Sequence, residues 1–293
     1  MSRSLIARHP HAALAILILI WGFGYPIMKI GLAYCPPLLF AGLRAVCGGC
    51  LLAVLAAWRR EPPRVADTWQ ALLVSALFNV LLFFGLSTLS VQLLPAGIAS
   101  VVLYLQPIFI AGLAHLWLGE RLTRTKMVGL LLGFAGVTAI MVQGDGGALS
   151  PTGLACGVGS AAAWAFGTVA FKRAAPRSIL WFIALPFLLG GLCILLAGLA
   201  LGERWADVAW NPVFVLVLAY GAVVGLGLSW TLWLALVAAG EASRMAGNTF
   251  LVPLVSVAAG TLLLGEPLGA TLAAGGAAVI GGVYLVNRAP AGS

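Results

Sequence analysis

The chain carries the same pattern twice, and this duplication constrains its fold more than any single motif does. In the first copy Pro107 precedes Glu120 by 13 residues, and in the second Pro253 precedes Glu266 by the same 13. Each Glu lies in a Leu-Gly-Glu sequence, and the copies are 146 residues apart, about half of the 293-residue chain. An internal repeat of this length sets the architecture before any local detail does. It predicts a protein built from two related halves.

A second pair of sequences supports the duplication. Trp21 precedes Lys29 by eight residues, and Trp164 precedes Lys172 by eight residues further along the chain. In a membrane protein, two half-sized repeats indicate a transporter whose site lies at their interface. The predicted repeats are residues 1–147 and 148–293.

The composition predicts a polytopic membrane protein. Apolar residues make up 62% of the chain and charged residues only 8%, against about 25% charged residues in soluble domains. The net charge of +8 does not indicate a nucleic-acid partner, because the basic residues form short clusters between apolar runs, as in cytoplasmic loops. Cys47 and Cys50 are interpreted as small packing residues, since a structural zinc site needs four ligands. We therefore expect no metal and no cofactor.

Turn-forming and charged residues divide the chain into ten candidate spans. Their approximate ranges are 12–33, 37–58, 69–89, 96–117, 126–143, 152–172, 178–200, 213–237, 243–264 and 269–287. Ten spans place both termini on one side. With cytoplasmic termini, 13 of the 16 Lys and Arg residues lie in inner segments, which is the usual bias of membrane proteins. We predict a multi-pass protein of the bacterial inner membrane with both termini in the cytoplasm.

Five spans per repeat is an odd number, so the second copy must enter the membrane inverted relative to the first. The predicted fold is an all-α membrane protein with two inverted five-helix repeats around a central cavity. The Glu120 loop is predicted inside and the Glu266 loop outside. Glycine rows in the fifth and tenth spans are expected to permit close helix contact, as a rigid brace or a dimer surface. A monomer or weak dimer is expected.

All eight Asp and Glu residues fall in loops or at span ends. A proton relay through an intramembrane carboxylate is therefore not favoured, whereas facilitated movement down a gradient or another form of coupling is. Lys29 and Arg44 lie within spans, toward the outer ends. Either their charged ends reach the interface while their stems lie in lipid, or they line an outward-facing cavity and attract a carboxylate or phosphate. For Lys29 a structural or gating role is favoured.

Helix-breaking residues point to the middle of the membrane. Pro26 interrupts span one, and Pro107 and Pro253 interrupt spans four and nine at matched positions. A Pro inside a helix removes a backbone hydrogen bond. Matched interruptions in two repeats indicate a transporter site, and packing kinks are the alternative explanation. We predict gating or hinge roles for these three residues.

Polar and aromatic residues near the breaks are the candidate substrate-binding residues. They are Trp21, Asn79, Phe83, Tyr104, Gln106, Trp164, Trp230 and Asn248. A buried amide in an apolar span needs a partner in protein, water or ligand, and hydrogen bonds between helices are the alternative explanation. Trp residues in mid-span suit an aromatic pocket for an amphipathic substrate, and plain core packing is the alternative for each of them.

Several motifs resemble the drug/metabolite transporter superfamily, EamA type, over essentially the whole chain. They are Trp21-Gly22-Phe23-Gly24, Phe40-Ala41-Gly42-Leu43-Arg44 and the two Pro…Leu-Gly-Glu sequences. Within that family the chain is most similar to the YddG-type exporters of aromatic and other neutral amino acids. The resemblance implies that helices one, three, four, six, eight and nine surround a central cavity. It assigns to that cavity Asn79, Phe83, Tyr104, Gln106, Trp164, Trp230 and Asn248, with Trp164 foremost.

The sequence therefore predicts a secondary transporter that exports small neutral metabolites, above all aromatic or other large neutral amino acids, by alternating access. Its partners are predicted to be the small-molecule substrate and membrane lipids. Export of drugs is the second transport interpretation, and the lack of buried acid argues against cationic ones. A passive channel or an intramembrane enzyme would represent another class. No span contains a Gly-x-Ser-x-Gly sequence or the spacing of a metal site, so an enzyme is not predicted.

Overall fold

The structure, a computed structural model, describes residues 10–63, 65–94, 102–141, 150–176, 178–264 and 271–289. Within these ranges the chain consists of helices and connecting turns, and no residue there lies in a strand. Six helical stretches in the same ranges are long and apolar enough to cross a membrane, by length and composition. The prediction of an all-α protein with strongly apolar helices is confirmed.

The described α-helices are numbered in chain order. The first six are α1 (Pro10–Leu32), α2 (Pro37–Trp58), α3 (Val65–Ser75), α4 (Phe83–Leu93), α5 (Gln106–Leu118) and α6 (Arg124–Met141). The others are α7 (Pro151–Ala174), α8 (Ile179–Ala200), α9 (Pro212–Tyr220), α10 (Ser229–Ala239), α11 (Ala242–Asn248), α12 (Val252–Leu264) and α13 (Thr271–Arg288). Two π-helical segments, Ala76–Leu82 and Gly221–Leu228, join α3 to α4 and α9 to α10, and the 3₁₀ turn Thr249–Leu251 joins α11 to α12.

Each half contains a π-helical segment at the matching place. The segments end at Leu82 and Leu228, which are separated by the same 146 residues as the repeat. A π-helical turn holds one extra residue and occurs mostly at functional sites. It also changes which face the following helix presents, and here the helices that follow carry Phe83 and Trp230. The sequence contained no signal for these segments.

The helix breaks near Pro107 and Pro253 lie just before these residues. α5 begins at Gln106 and α12 begins at Val252, so each Pro occupies the first turn of a new helix. In the first turn of a helix a backbone N–H has no acceptor within the helix, so the absence of this N–H in Pro costs no hydrogen bond. A tight turn precedes α5, in which the N–H of Leu105 donates to the carbonyl of Val102 at 3.2 Å. Pro26, by contrast, lies inside the continuous helix α1. The hinge roles of the three Pro residues stay predictions.

Helices of the two halves pack against each other in pairs. α2 packs along α8, α6 along α13, α1 along α12, and α7 along α5. Glycines permit the closest of these approaches, because a Cβ added to Gly42 would lie 3.0 Å from the carbonyl oxygen of Gly191. In the predicted glycine rows of spans five and ten, a Cβ added to Gly136 would lie 2.6 Å from the carbonyl oxygen of Gly275, so these rows face each other within one chain.

Two carboxylates cap helices of the opposite half. Glu203, which follows α8, accepts hydrogen bonds from two backbone N–H groups in the first turn of α2, at 3.0 and 2.8 Å. Glu61, which follows α2, accepts one from the hydroxyl of Ser178, the residue before α8, at 2.5 Å. Negative groups at helix N-termini are stabilised by the helix dipole. α2 and α8 are thereby fastened to each other at both ends.

The contact between α6 and α13 gives a direct test of helix packing. A Cβ on Gly282 would lie 2.5 Å from the backbone nitrogen of Gly133 and 2.6 Å from the carbonyl oxygen of Gly129. Backbone atoms cannot move aside, so Gly282→Ala is expected to destabilise the protein by about 1–3 kcal/mol. The measurement is the melting temperature in detergent. Gly85→Ala is the matched control, since nothing lies within 4 Å of its added Cβ. An equal effect of both substitutions would contradict this packing.

Some predicted features lie outside the described residues. These are the boundary at 147/148, the start of span four, and the second Leu-Gly-Glu sequence from Gly265 onward. The structure describes the backbone of Lys29 but not its side chain. The number of spans and the opposite orientation of the halves stay predictions.

Candidate functional site

Aromatic side chains from four helices converge on Trp164, which lies in the middle of α7. Its ring centroid lies 4.7 Å from that of Phe83, 5.3 Å from Trp21, 5.8 Å from Trp233 and 6.0 Å from Trp230. These are ordinary distances for attractive aromatic pairs. α1, α4, α7 and α10 supply the rings, so both halves of the chain contribute. We call these five residues the aromatic cluster.

Two further rings extend the aromatic cluster toward α8. Phe84 and Phe187 lie 5.9 and 5.4 Å from the ring of Trp230, and 6.2 Å from each other. Phe187 immediately follows Pro186, which lies inside the continuous helix α8. The predicted residues Trp21, Phe83, Trp164 and Trp230 therefore do come together in space.

The aromatic cluster contains polar atoms that have no hydrogen-bond partner. Among the described residues, the indole nitrogens of Trp164 and Trp233 are buried and unpaired. The same holds for the hydroxyls of Ser160 and Thr168. Since they are spaced four residues apart, Ser160, Trp164 and Thr168 form one stripe along α7. More than nine in ten buried polar groups are paired, so a stripe of unpaired ones indicates that water or a ligand completes it.

Two buried amides add unpaired acceptors. The side-chain nitrogen of Asn79 donates to Ser75 Oγ at 3.2 Å, but its oxygen has no partner among the described residues. Asn79 lies in a π-helical segment and presses against Gly167 of α7, where an added Cβ would collide with the amide. Gln106, the first residue of α5, is 2% exposed, and its side-chain oxygen also has no hydrogen-bond partner among the described residues.

Other predicted site residues lie elsewhere or are already engaged. Asn248 donates to the carbonyl of Arg244 and accepts from Asn287 of α13, both at 2.8 Å, which is the interhelical bonding weighed as the alternative. Tyr104 packs 6.5 Å from Phe250 in a neighbouring apolar cluster that Trp21 also contacts. Contact of Asn248 and Tyr104 with a substrate stays a prediction.

Ionic groups fasten one end of the bundle. Glu120, after α5, accepts hydrogen bonds from Lys172 Nζ at 2.8 Å, from the backbone N–H of Ala242 at 2.7 Å and from that of Ser243 at 3.1 Å. Lys172 also donates to the carbonyl of Gly240 at 2.5 Å. The carboxylate thus ties the end of α5 to the end of α7 and to the start of α11.

A second ion pair lies beside the first. Lys126 of α6 is fully buried and donates to Glu241 Oε2 and to Ser243 Oγ, each at 3.1 Å. Ser243 also donates to Glu120 at 2.5 Å, which links the two pairs. We call Glu120, Lys126, Lys172, Glu241 and Ser243 the ionic latch, because these residues join loops of both halves.

The ionic latch predicts a pH dependence. Burial raises the pKa of the Glu120 carboxyl, but hydrogen bonds from Lys172 and Ser243 and the charge of Lys172 lower it more, so the pKa is below its ordinary 4.5. A lowered pKa adds stability that is complete above the ordinary value and is lost as pH falls through the folded-state value. The melting temperature should therefore fall steeply only below about pH 4.5.

The variant Glu120→Gln isolates this contribution. It should cost about 2 kcal/mol at pH 7, because it removes the charge partner of the partly buried Lys172 and weakens charge-assisted hydrogen bonds. It should also flatten the acid limb of the stability profile. Asp207→Asn is the control, since its pair with Arg204 lies in an exposed loop. An acid limb that is unchanged in Glu120→Gln would show that another carboxylate causes it.

The sequence analysis missed several functional candidates. Trp233 is fully buried and lies beside Trp21 and Trp164 in the aromatic cluster, and its spacing of three from Trp230 was a signal that the two share a face. Ser160 and Thr168 had the spacing of one helix face with Trp164. Lys172 was noted for its spacing from Trp164, and the structure pairs it with Glu120.

Interrupted apolar helices around a buried cluster with unpaired polar atoms define a class, the helical membrane transporters. The EamA-like transporter family matches residues 11–142 and again residues 151–288, and the chain belongs to this family.

Known relatives are named as transporters or efflux pumps. The uncharacterized transporter YvbV of Bacillus subtilis is 41% identical over 275 residues, which cover 94% of this chain and 90% of the relative. A probable amino-acid metabolite efflux pump of Salmonella typhimurium is 29% identical over 289 residues, 92% of each chain. A solved crystal structure with 21% identity has a TM-score of 0.80 over 97% of this chain and 96% of that one, so the fold is shared.

Proposed function

We propose that this protein exports large neutral amino acids, aromatic ones above all, across the bacterial inner membrane. One observation carries the proposal: five aromatic side chains pack together, and the indole nitrogens of two of them are buried with no partner among the described residues. Such a site suits a ligand with a large apolar side chain and a small polar end. The relative that is named as an amino-acid metabolite efflux pump supports this substrate class.

The roles follow from the chemistry of the groups. The rings of Trp21, Phe83 and Trp164 would hold the apolar side chain of the substrate through stacking and burial of area. The amide oxygens of Asn79 and Gln106 would accept hydrogen bonds from its ammonium group. Indole N–H groups donate only, so those of Trp164 and Trp233 would serve an oxygen of the substrate.

The transport cycle we propose is alternating access between two inverted five-helix repeats, with ten spans and both termini in the cytoplasm. The bias of basic residues places the ionic latch at the cytoplasmic end. Its opening would release α5 and α11 from the end of α7, and the breaks before Gln106 and Val252 would let the outer and inner parts of each interrupted helix move separately. We propose that the ionic latch is the inner gate.

Counterflow in proteoliposomes tests this function. Vesicles loaded with one unlabelled amino acid should accumulate the labelled form transiently, most strongly for phenylalanine, tryptophan, tyrosine and leucine. Saturation and overshoot distinguish a carrier from a channel, because a channel gives no counterflow. Accumulation of a neutral lipophilic drug without any of the twenty amino acids would overturn the substrate class and support the drug exporter.

A further inference from the structure

Arg44 of α2 is a buried cation that the aromatic cluster and the ionic latch do not use. Its side chain is 6% exposed, and its Nε has no hydrogen-bond partner among the described residues. The guanidinium carbon lies 4.8 Å from the ring centroid of Phe40. A cation held over an aromatic ring is attracted by the ring face, but the ring is not a hydrogen-bond partner for the buried Nε–H donor. Arg44 therefore has charge and donors to offer to an anion.

Lys126, which is fully buried, and the partly buried cations Lys172 and Arg244 have acidic partners. Lys126 has Glu241, Lys172 has Glu120, and Arg244 has Glu241 at 3.5 Å together with a carbonyl oxygen at 2.7 Å. Burial of an unpaired charge is strongly unfavourable, and this chain avoids it at each of these places. The exception at Arg44 indicates a position where the counter-ion arrives from outside the protein.

The neighbouring backbone makes room for this side chain. Arg44 lies against Gly221, the first residue of a π-helical segment, where a Cβ would lie 2.6 Å from Arg44 Cδ. On α1, the helix that also packs against this segment, nothing lies within 4 Å of a Cβ added to Gly24. Gly225, further along the segment, has its nearest neighbour at 3.7 Å. The glycine at position 221 thus leaves the space that the Arg44 side chain fills, and the position of Gly24 on α1 borders open space.

We infer that Arg44 is the docking point for the carboxylate of the substrate. This inference rests on the proposed function and assigns the protein group that binds the carboxylate of its substrates. A guanidinium binds a carboxylate through two parallel hydrogen bonds, with a planarity that Lys does not match. Arg44 is the eighth residue of α2 from the end where that helix begins, so the docking point lies nearer that end of the bundle than its middle. The carboxylate would bind there while the apolar side chain leaves or enters the aromatic cluster.

The test compares ligands that differ only in the carboxylate. Phenylalanine and phenylalaninamide compete for counterflow of labelled phenylalanine, and the wild type should prefer the acid. In Arg44→Gln the preference for the acid should fall by about tenfold, which is the effect of one lost charge-assisted contact. The affinity for phenylalanine should fall, whereas the affinity for phenylalaninamide should not change. Arg44→Lys should keep part of the preference. Arg204→Gln removes an exposed arginine and should keep all of it.

A second measurement separates this inference from the proposed function. 3-Phenylpropionate should raise the melting temperature of the wild type, 3-phenylpropanamide should not, and the shift should vanish in Arg44→Gln. If phenylalanine is not exchanged but this shift is found, the proposed function fails and the docking point stands. If phenylalanine is exchanged without any preference for the acid, or if Arg44→Gln weakens both ligands equally, the docking point is wrong and Arg44 is structural.

Discussion

Replacing Trp164 with Ala is expected to lower amino-acid exchange by on the order of 100-fold, because loss of a central aromatic anchor costs about 2–4 kcal/mol of binding. Trp164 contacts each of the other four rings of the aromatic cluster, so its removal opens the wall of the site on several sides at once. The measurement is initial counterflow of labelled phenylalanine at several concentrations, with the amount of protein in the vesicles determined separately.

Two further variants separate the role of the Trp164 ring from that of its N–H group and from the general effect of removing a Trp. Trp164→Phe keeps a ring but removes the unpaired indole N–H, so it should recover most of the apolar contact while the polar end of the substrate stays weakly held. Trp205→Ala removes a Trp of equal size from an exposed loop turn and should exchange normally. Normal exchange by Trp164→Ala would remove the aromatic cluster as the substrate site.

Neutralising Lys126 is expected to open the ionic latch. Lys126→Met keeps the length of the side chain but removes the fully buried partner of Glu241, while Arg244 stays 3.5 Å away. The loss should cost about 1–3 kcal/mol in the closed arrangement. The equilibrium should then shift toward a state that is open at the cytoplasmic end. A reporter is Thr168→Cys, introduced after the five native cysteines have been replaced. Thr168 is fully buried in the stripe of α7, and the thiol should react several-fold faster with an impermeant maleimide from the cytoplasmic side.

The control for the ionic latch is an exposed ion pair. Arg204 and Asp207 are 3.3 Å apart, but their side chains are 75% and 45% exposed, and such surface pairs contribute about 0–1 kcal/mol. Arg204→Gln should leave the reporter unchanged. If Lys126→Met lowers the melting temperature but does not change labelling of the reporter, the ionic latch is a structural brace and not a gate.

The repeat allowed the sequence to predict the interrupted helices but not the faces of the others. The position of Pro107 relative to Glu120 located the break before α5, because Pro tolerates few places in a helix. Helices that are apolar all round, however, give no amphipathic signal of which face meets the protein and which meets lipid. Trp230 was therefore identified as a mid-span Trp, while Trp233 was not recognised as its neighbour in the site.

The π-helical segments and the ionic latch were beyond sequence reasoning for different reasons. A π-helical turn in Ala76–Leu82 depends on how the whole helix packs, since its residues are also ordinary helix formers. The pair of Lys126 and Glu241 joins residues 115 positions apart, and nothing local to either residue identifies the other. Glu120 was visible as part of a repeated motif, but its four backbone and side-chain donors appear only when α5, α7 and α11 are assembled.

α7 carries both the centre of the aromatic cluster and a member of the ionic latch. Trp164 and Lys172 are eight residues apart on this continuous helix, so about 12 Å of rigid rod separates them. A rod that cannot bend between two points transmits displacement from one to the other. Thermodynamic reciprocity then applies to the two sites. If a bound amino acid weakens the Lys172–Glu120 pair by a given free energy, breaking that pair strengthens binding of the amino acid by the same free energy.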